Sequence, residues 1–312
     1  MSRLLSKERV RDLILGLALL CATLALMLYP QPAMEAARNG LELCGNVIIP
    51  SLLPFFVLSS LVVDLGLAGY LGRLLEKVML PLFRVNGACA SALALGFIGG
   101  YPVGARTAIS LYQNGLCTRT EAQRLLAFCN NSNPVFLISV LGAGVFGSVR
   151  TGVWLWLIHV LSALLTGLVF RGSGKAAVRR PVARPAPFQA VRFVPALVGA
   201  VRSALSGMLS VCAFVVFFYV LARPLAALGG RPGPVLVGAV ELFSLTPLLT
   251  ADRFGLVLAA GAAGWGGLSV LCQTLAVLEG SGLRLRNCLL GKAVQCAFSL
   301  LLAALLAGYV LG

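Results

Sequence analysis

Charge is what this chain lacks most. Only 11% of its 312 residues are Asp, Glu, Lys or Arg, against about a quarter in soluble domains. In its place stand apolar runs of about 20 residues, long enough to cross a bilayer. A soluble domain is therefore excluded. The runs do not alternate in short segments, which excludes an outer-membrane β-barrel. Histidine is nearly absent: His159 is the only one. HExxH, GxSxG, a phosphate-binding P-loop and a pair of intramembrane aspartates are all missing. The usual acid–base constellations cannot be assembled, and no enzyme is expected. His159, lacking co-ligands, is expected to hydrogen-bond a neighbouring helix rather than bind metal. The nine cysteines form no CxxC and fall mostly within apolar runs, so they read as small hydrophobes and not as disulfides or zinc ligands.

What is there is an all-α polytopic membrane protein with 59% hydrophobic residues and a net charge of +15. The positive charge sits in short loops, where it orients a membrane protein, so no nucleic-acid partner is expected. Arg3, Lys7, Arg9 and Arg11 precede the apolar run Leu13–Tyr29. That run is long for a signal peptide. Leu20 is too bulky for lipoprotein cleavage before Cys21, so the run reads as an uncleaved first helix. Further apolar spans fall near 44–66, 86–110, 124–147, 151–170, 204–228, 234–250, 254–278 and 287–311. A Pro- and Arg-rich loop at 171–203 reads as an extended cytoplasmic linker.

If every span crossed, that basic loop would lie outside. Letting 86–110 dip in and return removes the conflict. Its centre, Gly96-Phe97-Ile98-Gly99-Gly100-Tyr101-Pro102-Val103-Gly104, is a poor helix interior. A second re-entrant hairpin at 234–250, broken near Ser244-Leu245-Thr246-Pro247, gives the second half the same plan. With the N-terminus cytoplasmic, 20 Lys and Arg lie inside and 5 outside (Arg38, Arg150, Arg223, Arg231, Arg253). Each half then runs helix, amphipathic connector, hairpin, broken helix, helix, and the two halves are inverted. The expected organisation is a first helix at 1–34, one repeat at 35–170, a basic linker at 171–200 and a second repeat at 201–312. Inverted repeats with broken helices recur in secondary transporters, with solute bound near the midplane.

The polar centre of the 124–147 span, Cys129-Asn130-Asn131-Ser132-Asn133-Pro134, points the same way. Backbone freed by a helix break is tolerated in a membrane only when buried in protein or lining a wet cavity. Pro134 enforces the break, and the asparagines supply donors and acceptors for a solute or cation. The second half has a weak spot at Gly261, Gly264, Gly266, Gly267 and Ser269, followed by Gln273 and Thr274. Glu241 lies within the second hairpin, and an ionisable group there is a candidate functional residue. Arg106 is its candidate partner or a solute contact.

Three motifs in order carry a resemblance: Gly100-Tyr101-Pro102-Val103-Gly104-Ala105-Arg106, Leu111-Tyr112-Gln113-Asn114-Gly115-Leu116, and Asn131-Ser132-Asn133-Pro134. Together they resemble the sporulation integral membrane protein YlbJ family. The resemblance implies a nucleoside-recognition, or Gate, region like that of nucleoside transporters and the membrane part of FeoB, and a role in spore cortex formation. It carries Gly100, Tyr101, Pro102, Gly104, Arg106, Asn131, Ser132, Asn133 and Pro134 as characteristic positions. The expected solute-binding set adds Asn130, Glu241 and Gln273. The expected function is secondary transport of a small polar, nucleoside-like solute across the cell membrane. No cofactor or bound metal is expected beyond a coupling cation, sodium or a proton. The alternative is a non-transporting scaffold that contacts cortex-assembly proteins through the basic linker. An oligomer is compatible with either.

Overall fold

A computed structural model describes residues 7–173 and 193–312, which form helices and loops, with no strand among the described residues. The basic linker expected at 171–200 lies outside the described residues from 174 to 192, as do the first six residues of the segment expected at 1–34.

In the first half, α1 (Lys7–Leu28) turns at Tyr29 into α2 (Pro30–Asp64). This second helix widens into a π turn at Cys44–Ile48. Pro50 has no N–H to offer the Asn46 carbonyl one turn back, which accounts for the irregularity just before it. The amphipathic α3 (Leu67–Phe83) follows, and the chain bends by 94° into the first hairpin. Its arms are α4 (Ala90–Gly99) and α5 (Val103–Gln113). The short α6 (Arg119–Leu125) is held by a capping box, Thr118 with Glu121. Residues 130–133 have no regular structure, then the π-helical α7 (Val135–Val145) and α8 (Val149–Phe170) complete the half.

The second half repeats the order. It comprises α9 (Phe193–Ala226), a hairpin of α10 (Pro232–Val240) and the four-residue α11 (Leu242–Leu245), a helix broken into α12 (Arg253–Trp265) and α13 (Gly267–Leu278), and α14 (Arg286–Val310). Both hairpins and both broken helices expected from the glycine and proline pattern are present. The match between the halves is partial: among the described residues, α1 and the short α6 belong to the first alone. The second has no described counterpart of α3, and its hairpin returns through a much shorter arm. Thr246-Pro247 is the cause there: proline closes the arm into a 3-10 turn at Thr246–Leu248. Among the described residues, five helices are long and apolar enough to cross a membrane: Pro30–Asp64, Val149–Phe170, Phe193–Ala226, Arg253–Leu278 and Arg286–Val310.

Hydrogen bonds gather the loops into two ends. At one, Arg119 donates to the Gly282 carbonyl, Gln123 to that of Arg284, Arg124 to those of Arg84 and Ser173, and Arg171 to that of Pro81. At the other, Thr151 donates to Val310 and Arg253 to Ala304, and Arg150 lies over the Tyr309 ring. These are the loops that the charge distribution groups together. Lys292 is the exception. Counted with the cytoplasmic charges, it is instead buried, 1% exposed, within α14.

Candidate functional site

The first hairpin closes onto the break in its own half. Gly96 on α4 and Gly104 on α5 face the Cys129 carbonyl from two sides. A Cβ at either would run into that oxygen. Glycine is therefore what lets the hairpin approach the unwound backbone, as small residues do at membrane helix contacts. At the tip, Gly100 takes φ +82 and packs on Asn133.

The break itself is held by a buried polar network. The Asn130 side-chain amide donates to the Thr274 hydroxyl at 2.9 Å, and that of Asn131 to the Phe128 carbonyl at 2.8 Å. The Ser132 N–H donates to His159 Nε2 at 3.0 Å, so the lone histidine does serve a neighbouring segment. Asn133 Oδ1 accepts from the Phe136 N–H at 2.7 Å and so caps α7. From α14, Lys292 Nζ donates to the Asn130 carbonyl at 3.1 Å and to Gln295 Oε1 at 2.9 Å, and it lies 4.9 Å from the centre of the Tyr101 ring. Gln295 in turn donates to Asn131 Oδ1 at 2.9 Å. A carbonyl freed by the break thus meets an ammonium from the other half, as the satisfaction rule for membrane interiors requires.

The second break is built from glycine. Gly266 and Gly267 both have φ +86, a region that L side chains avoid. The tip of the second hairpin rests there: a Cβ at Gly267 would meet the Val240 carbonyl and the Glu241 Cα. Glu241 is 1% exposed. Its backbone is extended, and its carboxylate accepts the Ser244 N–H, capping α11. The two centres touch through Tyr101, whose hydroxyl donates to the Ala263 carbonyl and whose ring lies beside Gly266.

Two cavities adjoin these tips. The larger, about 630 Å³, lies between α2, α5, α9 and α13 and is rich in hydroxyl groups. Pro102, Arg106, Val211 and Gln273 line it, and its mouth carries Asp64, Gln113, Gly199 and Glu279. Those four stand at the end of the molecule where the basic loops gather. The smaller, about 30 Å³, lies between the hairpin tips and is lined by Tyr101, Ser132, Asn133, Phe243, Val211 and Gln273 among others. Gln273 and Val211 border both, so they form the partition.

The residues expected to bind solute therefore separate into groups. Pro102, Arg106 and Gln273 face the larger cavity, and Tyr101, Ser132, Asn133 and Gln273 the smaller. Asn131 is spent on the network at both ends of its amide, whereas Asn130 gives its NH2 to Thr274 and keeps a buried Oδ1 without a partner. Gly100 and Gly104 allow close backbone packing, and Glu241 caps a helix. Arg106 is not the partner of Glu241. Its guanidinium donates to the Ser203 hydroxyl at 2.7 Å and lies 4.8 Å from the centre of the Phe56 ring. Among the described residues no group of three or more His, Cys, Asp or Glu converges as a metal site would need.

Lys292 and Gln295 escaped the sequence reading. The signal was there: Lys292, Gln295 and Ser299 lie at i, i+3 and i+7, a polar stripe on one face of an otherwise apolar helix.

Residues 47–152 match the family model of the Gate domain, described as nucleoside recognition. That stretch runs from the π turn of α2 through the first hairpin and break to the start of α8. The chain is also 37% identical, over 168 residues, to the sporulation integral membrane protein YlbJ of Bacillus subtilis (strain 168). The match covers 54% of this chain and 41% of that relative, so the chain spans about two-fifths of the length of the curated relative it matches. No solved structure matches. The family suggested by the motifs is thus the one to which the chain is similar.

Proposed function

We propose that this YlbJ-like, Gate-bearing membrane protein is a secondary transporter of a small polar, nucleoside-like solute. One observation carries the reading. Two hairpin tips meet two broken helices at a partition, Gln273 and Val211, that lies between a large polar cavity and a small one. Solute enters the larger cavity, loses water to hydroxyls and amides, and passes the partition toward Tyr101, Ser132 and Asn133. The repeats at 35–170 and 201–312 rock against each other to expose that inner space to the opposite end. A coupling cation, sodium or a proton, supplies the drive. The N-terminus is cytoplasmic, which makes the larger cavity inward-facing. The setting is sporulation, in keeping with the relative's name, and the solute serves formation of the spore cortex.

The test is solute counterflow in proteoliposomes across nucleosides and related polar compounds. The proposal expects exchange of at least one compound, lost in Asn133→Ala and Gln273→Ala proteins that still fold. Absence of exchange across the whole panel, in protein shown to be folded, contradicts it.

A further inference from the structure

The larger cavity holds a cation without an ionic partner. Arg106 is a half-buried residue on α5, about one helical turn from the Pro102 tip. Its berth is built by two other helices. Phe56 on α2 provides a ring face, 4.8 Å from the guanidinium carbon. Ser203 on α9 accepts from Nη2 through its hydroxyl and its carbonyl, at 2.7 and 3.2 Å. Gly207, one turn further along α9, leaves the space: a Cβ there would collide with Nη1. Ring stacking and a hydroxyl orient an arginine without neutralising it. Among the described residues no carboxylate forms an ion pair with Arg106, and its Nε and Nη1 donors take no protein acceptor.

The rest of the lining suits a polar solute with one acidic end. Six serines, Ser59, Ser60, Ser110, Ser203, Ser206 and Ser210, supply hydroxyls. The cavity's two carboxylates, Asp64 and Glu279, are exposed at the mouth. There water and salt screen them over about 8 Å at physiological ionic strength. Arg106 lies deeper, where its attraction for an anion is less damped.

We infer that the cavity selects an anionic polar solute, carrying a phosphate or carboxylate, and that Arg106 is the receptor for that acidic group, with Gly207 as the positioning residue that holds it in place. This rests on the carrier reading and narrows it from nucleoside-like solutes in general to charged ones. Arginine's planar fork matches both oxyanions, so phosphate and carboxylate share the same chemistry here.

The experiment compares apparent melting temperature of the full chain in lipid nanodiscs with inorganic phosphate, uridine 5′-monophosphate and uridine, since a ligand of the native state raises it. The expected result is stabilisation of the wild type by the two anions beyond that by uridine. The gain should disappear in Arg106→Gln and fall at least tenfold in apparent affinity in Gly207→Ala. If Arg106→Gln does not fold, Ser203→Ala, which removes only the hydroxyl, serves in its place and should weaken anion binding while sparing uridine. Uridine stabilising wild type and Arg106→Gln alike, with no anion effect, would leave a neutral-solute carrier standing and overturn the inference. Anions stabilising Arg106→Gln as well as the wild type would also overturn it. No shift with any of the three would remove the inference, and counterflow would then decide the carrier reading separately.

Discussion

Lys292 Nζ lies 3.1 Å from the carbonyl oxygen of Asn130, a residue 162 positions earlier in the chain. That contact joins the last helix of one half to the unwound segment of the other. It also gives a buried charge a reason to be there. An ammonium in a membrane interior costs several kcal/mol unless it is hydrogen-bonded. Here a freed carbonyl, an amide oxygen and an aromatic ring share it. Lys292→Met should therefore destabilise the fold by about 1.5–3 kcal/mol, the range for losing hydrogen bonds to a charged group. Thermal unfolding in a fixed detergent measures it, and Gln295→Leu should act in the same direction because it also orphans Asn131 Oδ1.

The glycines should separate by what surrounds them. At Gly104 an added Cβ meets the Cys129 carbonyl, and backbone on both sides prevents it from yielding. Gly104→Ala should cost about 1–3 kcal/mol, as overpacking does. Gly308, within α14, has nothing near its would-be Cβ. Gly308→Ala should be neutral or stabilising by up to about 1 kcal/mol. The melting temperature should fall in Gly104→Ala and stay level or rise in Gly308→Ala.

Tyr101→Phe removes one hydroxyl, the one that donates to the Ala263 carbonyl across the two halves. The expected cost is about 0.5–1.5 kcal/mol. Hydrogen exchange should quicken at the end of α12 and at the hairpin tip together, since both lose the same restraint.

Glu241 caps a four-residue helix through an oxygen that glutamine also has. Glu241→Gln should keep the cap and the fold, whereas Glu241→Ala should lose about 0.5–2 kcal/mol relative to it. Thermal unfolding of the two variants side by side gives the difference.

The helical layout was legible because its punctuation is strong. Gly100 and Pro102, Asn133-Pro134 and Gly266-Gly267 each deny the backbone a regular helix, and each marks a break in the structure. Asn130 and Asn131 illustrate what was not legible. Sequence shows that a buried amide needs partners, but not whether a solute or the protein provides them. Lys292 and Gln295, far along the chain, turn out to be those partners for the Asn130 carbonyl and the Asn131 side chain. Arg106 was recognised as a candidate from its motif. Its berth on Ser203 and Gly207 depends on α9, whose residues carry no motif of their own. The short return arm of the second hairpin was hidden as well, because Thr246-Pro247 reads as the hairpin's centre and proves to be its end.

The central claim, that the space between the hairpin tips opens alternately to the two sides, can be tested without knowing the solute. Ser132 lines the small cavity beyond the Gln273 partition. In a chain whose nine native cysteines have been replaced, Ser132→Cys is exposed to a membrane-impermeant thiol reagent, first from one face of the membrane and then from the other. The account predicts labelling from both faces. Labelling from one face alone, or from neither, in folded protein would contradict it.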